Sequence, residues 1–80
     1  MSADEVKALL AAAYPDATLE VDGGGAKFTV QMVDDVFSGK RPVQRQQLVY
    51  GVLNEKITSG DIHAVSMALF TPEEWSGQET

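Results

Sequence analysis

The chain has no cysteine. No disulfide can staple it, and no thiolate metal or cluster site can be built from its own residues. Histidine and tryptophan each occur once, as His63 and Trp75. One imidazole is too few ligands to hold a metal alone, and no serine or cysteine pairing is implied that would make a triad. Positive charge is scarce as well. Six Lys and Arg face twelve Asp and Glu, for a net charge of −6. That balance opposes long-range attraction to nucleic acid or anionic lipid, though it leaves room for a local basic patch. No apolar run approaches the roughly 20 residues that span a bilayer. The opening stretch, Met1 to Pro15, lacks the basic n-region of a signal peptide. A cytoplasmic, soluble protein is expected, with no membrane partner. Nothing combines a nucleophile, a base and an oxyanion donor, so the expectation is a protein that is not an enzyme.

What remains is an ordinary globular composition, 44% hydrophobic over 80 residues. That is one domain, with a feasible but marginal core that buries roughly 60% of the chain's surface. Without staples it must rely on packing. Residues 1–75 are read as the domain and residues 76–80 as a polar tail that frays.

Ser2 is a candidate helix cap, with Glu5 three residues later completing a capping box. Val6, Leu9, Leu10 and Ala13 then recur on one helical face, and Pro15 ends the helix. Two alternating runs follow. Ala17, Leu19 and Val21 oppose Thr18, Glu20 and Asp22; Ala26, Phe28, Val30 and Met32 oppose Lys27, Thr29 and Gln31. Joined by Gly23-Gly24-Gly25, they predict an antiparallel hairpin with one wet face. No Gly-Lys-Ser/Thr closes the glycine run, so it is a turn rather than a phosphate loop.

A short connector with a helical turn near Val36 and Phe37 leads to Pro42, which suits the first position of a helix running to about Ile57. Gln46, Val49, Tyr50, Leu53 and Ile57 form its stripe, and Gly51 is attributed to close packing on the sheet. Ile62 to Phe70 reads as a strand, with His63, Val65, Met67 and Leu69 on the side towards the helices. Thr71-Pro72-Glu73-Glu74 opens a last helix with a second capping box, and Trp75 is expected to pack at the sheet edge. The order α-β-β-α-β-α gives an α/β (α+β) two-layer sandwich.

Two features could carry chemistry. His63 is either a partly buried histidine bonded to nearby chain, the commoner situation for the residue type, or a single donor that completes a site owned mainly by another protein. Lys40, Arg41 and Arg45 hold half of the positive charge within six residues, at a helix N-terminus that itself favours anions. They are either a solvated loop or a patch for an anionic partner. The pairs Asp34-Asp35 and Glu73-Glu74 are explained by helix starts.

Phe37-x-Gly39, Arg45-Gln46-Gln47-Leu48-Val49-Tyr50, Ile62-His63-Ala64 and Thr71-Pro72-Glu73-Glu74-Trp75 stand in an order that resembles the BolA-like family, in particular its short IbaG-like branch. The resemblance spans nearly the whole chain. It implies a type II KH-like fold, a three-stranded mixed sheet with helices on one face. It also implies a monothiol glutaredoxin as partner. A [2Fe–2S] cluster would be shared with that glutaredoxin and glutathione, with His63 as this chain's ligand. Relatives often carry a histidine or cysteine between the first two strands, and Asp22 to Lys27 holds neither. Asp22 itself, a carboxylate, is a weak choice for a soft cluster. The competing expectation is a nucleic-acid-binding stress or transcriptional regulator that uses Lys40, Arg41 and Arg45. Against it, Ser38-Gly39-Lys40-Arg41 lacks the second glycine of a KH clamp.

Overall fold

The computed structural model describes residues 1–78. Its elements are α1 (Ala3–Ala13), β1 (Thr18–Gly24), β2 (Lys27–Val33), a 3-10 turn (Asp35–Phe37), α2 (Pro42–Thr58), β3 (Ala64–Phe70) and α3 (Pro72–Gln78). The fold is α+β, in the predicted order. β2 is central; it pairs antiparallel with β1 and parallel with β3. A parallel pair needs a long crossover, and α2 is that crossover.

The starts of α1 and α3 are set by local chemistry. The Glu5 N–H donates to the Ser2 hydroxyl at 3.2 Å, and the Ser2 N–H donates back to the Glu5 carboxylate at 3.3 Å. Thr71 and Glu74 repeat the reciprocal pair at 2.9 and 3.2 Å. Between the helices and the sheet, Val6 and Leu10 of α1 and Val49 and Leu53 of α2 meet Leu19, Phe28, Val30 and Met32, with Phe37 and Ile62 closing the ends. Alternation places all four sheet residues on one face, as the sequence predicts.

Several details differ from the sequence expectation. The hairpin strands run further into the glycines. Gly23 pairs with Phe28 and Gly24 with Lys27, so only Gly25 and Ala26 form the turn. Gly23 has φ +120°, and a Cβ there would lie 2.3 Å from the Lys27 carbonyl oxygen and 2.9 Å from the Phe28 Cα. Both neighbours are backbone and cannot rotate aside. Gly23→Ala should therefore cost at least about 1–3 kcal/mol in strain. Gly24→Ala, where a Cβ meets nothing within 4 Å, should stay within about 0.5 kcal/mol. Urea unfolding of the two variants checks the contrast.

The buried stripe of α2 is rotated from the predicted one. Gln46 and Tyr50 face outward, Tyr50 with 41% of its surface exposed. The inward row is Arg45, Val49 and Leu53, spaced by four residues, and an arginine at its head hides the row from an apolar-only pattern. Gly51 is exposed with open space around it, so close packing does not explain it. Trp75 is not part of the main core. It is half-buried and its ring lies 5.5 Å from Phe70. Phe70 and its partner Val33 alternate onto the sheet face away from the core. Finally, α3 continues to Gln78, so the predicted boundary at residue 75 falls inside a helix. The remainder of the predicted tail, residues 79–80, lies outside the described residues.

Candidate functional site

Most of the short link from α2 to β3 is built to hold one residue outward. Beyond the helix, the Ser59 hydroxyl donates to the Asp61 carboxylate at 3.0 Å, and Gly60 takes φ +86°. Ile62 then turns inward, 1% exposed, with its N–H bonded to the Lys56 carbonyl at 3.1 Å. His63 follows and is exposed. Its N–H donates to the Ala26 carbonyl at 2.7 Å, and the next N–H, of Ala64, donates to the same oxygen at 3.1 Å.

Two successive amides on one acceptor break the strand's alternation, as a bulge does. This corrects the predicted facing of His63. Val65, Met67 and Leu69 do lie against the core, but the parity slips at the strand's start, and Ile62 takes the inward place instead of His63. The partly buried, internally bonded histidine is also excluded: no described residue hydrogen-bonds the imidazole. Through these bonds the His63 backbone adjoins the hairpin turn, which consists of Gly25 and Ala26.

Among the described residues there is no group of three or more His, Cys, Asp or Glu placed to hold a metal ion. The described residues therefore do not supply a complete ligand set around His63.

The basic cluster divides. Arg45 is not available to an anionic ligand. Its side chain is 13% exposed, and Nη1 and Nη2 grip both carboxylate oxygens of Glu74 at 2.6 and 3.2 Å. Nε donates to the Lys40 carbonyl at 3.0 Å and Nη1 to the Leu69 carbonyl at 3.2 Å. The guanidinium carbon sits 5.9 Å from the centre of the Phe37 ring, a cation–π contact. Arg45 thus ties together the loop before α2, the end of β3 and the start of α3. Lys40 is half-buried, and only Arg41 of the three is exposed. Sequence reading missed this clamp. Its one available signal is that Arg45 falls on the buried row of α2, where a charged group needs a partner.

The Glu74 carboxyl is held down to about 2, first by the Arg45 guanidinium and then by the Thr71 N–H. Its ordinary value is 4.5. Because the folded-state value is the lower one, the pair's contribution is complete above about pH 4.5 and is lost as pH falls towards 2. Glu74→Gln should flatten the fall in melting temperature across that acid window while lowering stability at neutral pH. Melting curves at a series of pH values test it.

A family model described as BolA-like protein matches residues 5–74. The chain belongs to the BolA-like family. A relative in Acinetobacter guillouiae, described as an uncharacterized protein in the rpoN-murA intergenic region, is 48% identical over 75 residues, covering 94% of this chain and 90% of that one. Acid stress protein IbaG of Escherichia coli is 40% identical over 76 residues, covering 95% and 90%. The DNA-binding transcriptional regulator BolA of Haemophilus influenzae is 43% identical over 56 residues, covering 70% and 53%. The crystal structure of a bol-like protein from Babesia bovis superposes with a TM-score of 0.86 at 28% identity, covering all of this chain and 95% of that one. In BolA-like terms, the four landmarks do distinct jobs here. Phe37 and Arg45 build the clamp and Thr71 to Glu74 anchor its far side; the exposed His63 takes no part in it. No described helix is long and apolar enough to cross a membrane.

Proposed function

We propose that this BolA-like chain is a non-catalytic partner of a monothiol glutaredoxin and that His63 supplies one ligand to a [2Fe–2S] cluster held jointly with that protein and glutathione. The observation that carries the reading is an exposed His63 whose imidazole has no hydrogen bond to any described residue and whose backbone is tied to the hairpin turn at Ala26. The chain's residues act by positioning. Ile62 anchors the link in the core, and the Ala26 carbonyl fixes the amides of His63 and Ala64. The imidazole is thereby presented without first unfolding anything. A neutral imidazole is a competent iron ligand, and replacing a thiolate by it raises a cluster's reduction potential.

The test is reconstitution of a monothiol glutaredoxin with iron, sulfide and glutathione, with and without this chain. The expected result is a 1:1 complex that co-elutes with the cluster and has visible absorption and circular dichroism distinct from those of glutaredoxin alone. Unchanged spectra and no co-elution would contradict it.

A nucleic-acid reading draws on the name of the Haemophilus influenzae relative. The site gives it less support, because Arg45 is spent on Glu74 and the net charge is −6. Salt-sensitive binding to DNA or RNA at low ionic strength would revive it.

A further inference from the structure

β3 is an edge strand, and it lacks the usual protection of an edge. Ala64–Phe70, read as AVSMALF, holds no charge and no proline. The Ala64 N–H donates to Ala26, and the Phe70 carbonyl accepts from the Asp34 N–H, both on the β2 side. N–H and C=O groups alternate along a strand, so those of Val65, Met67 and Leu69 point away from the sheet. The Leu69 carbonyl is taken by Arg45. Among the described residues nothing pairs with the outward groups of Val65 and Met67, or with the Leu69 N–H. Natural proteins usually blunt such an edge with charge, proline or a bulge; here the bulge-like slip is confined to the strand's start at His63 and Ala64, and the pairing with β2 runs unbroken from Ala64 to Phe70.

Beside this edge lies a cavity of about 100 Å³, lined by Pro42, Arg45, Gln46, Met67 and Leu69. It has room for one aliphatic side chain, and its guanidinium is already neutralised by Glu74. A row of free main-chain groups with an adjacent side-chain pocket is the arrangement by which sheets accept an added strand.

We propose that the outer edge of β3 binds an extended segment of a partner protein, about five residues long, with an aliphatic side chain in this cavity and basic flanking residues. Charge selects the occupant. A second copy would bring another −6 to a chain whose own net charge is −6, whereas a neutral or basic segment meets no such net repulsion. Self-pairing centred on Met67 would also set Val65 against Leu69, whose carbonyl Arg45 already occupies in each copy. The inference stands apart from the cluster reading, and either can fail alone.

The experiment titrates the full chain, labelled with 15N, with the peptide acetyl-Arg-Val-Leu-Val-Arg-amide up to millimolar concentration and follows amide shifts and hydrogen exchange. Two further peptides are N-methylated, one at the leucine and one at both valines. The expected result is movement and protection at the amides of Val65, Met67 and Leu69, with those of Ala64, Ser66 and Ala68 little changed. One methylated peptide should bind at least tenfold more weakly and the other about as well as the parent, because only alternate amides of an added strand face the edge. Absent shifts, shifts centred elsewhere, or equal binding by all three peptides would overturn the proposal. So would outward amides that change with chain concentration alone, which means a second copy, or a single-stranded oligonucleotide that moves the same amides at lower concentration.

Discussion

Phe37→Ala should remove about 3–5 kcal/mol of stability and leave much of the population unfolded at 37 °C. Phe37 is fully buried and belongs to the main core. Its loss deletes contacts on the core side and opens a cavity that the single turn Asp35–Phe37 is too short to close by collapse. On its other side the ring supports the Arg45 guanidinium, which is held by four residues at once, Phe37, Lys40, Leu69 and Glu74. A domain of this size has a total stability of roughly 4–12 kcal/mol, so one such cavity is a large share of it. Phe37→Leu should recover most of the packing but not the cation–π contact. Urea unfolding should therefore rank wild type above Phe37→Leu, and Phe37→Leu well above Phe37→Ala. A Phe37→Ala midpoint close to wild type would mean that the clamp and the core do not depend on this ring.

His63→Ala should act in the opposite way, leaving the fold intact and abolishing a shared property. The side chain is exposed and hydrogen-bonds nothing described, and the backbone bonds to Ala26 survive substitution. The expected change in stability is within about 0.5 kcal/mol. The cluster-loaded complex with glutaredoxin should lose its distinct visible dichroism and dissociate. His63→Cys should restore a bound cluster but with a lower reduction potential, because a thiolate replaces the imidazole. Separating these outcomes from misfolding requires only that all three proteins melt alike.

Much of the fold is written locally. The Ser2 and Thr71 caps, the alternation of β1 and β2, and Pro42 at the head of α2 each depend on residues a few positions apart, and each is found where the sequence puts it. The site is less legible. Glu74 looks fully explained as a cap, so nothing local reveals its second role with Arg45, 29 residues away. The facing of His63 depends on a slip in parity where two amides share the Ala26 carbonyl, a pairing made across the sheet. Had alternation continued unbroken, the imidazole would lie against the core. The inward turn of Ile62 is what frees it, and Ile62 offers no sign of that beyond being apolar.

The most direct measurement asks whether the chain's own nitrogen binds the iron. Wild-type chain labelled with 15N at histidine is combined with unlabelled monothiol glutaredoxin and glutathione, the cluster is reconstituted and reduced, and pulsed paramagnetic resonance records the hyperfine couplings. A strongly coupled 15N from a single imidazole is the predicted result. A reduced cluster in the complex that shows no coupling to labelled nitrogen would contradict it.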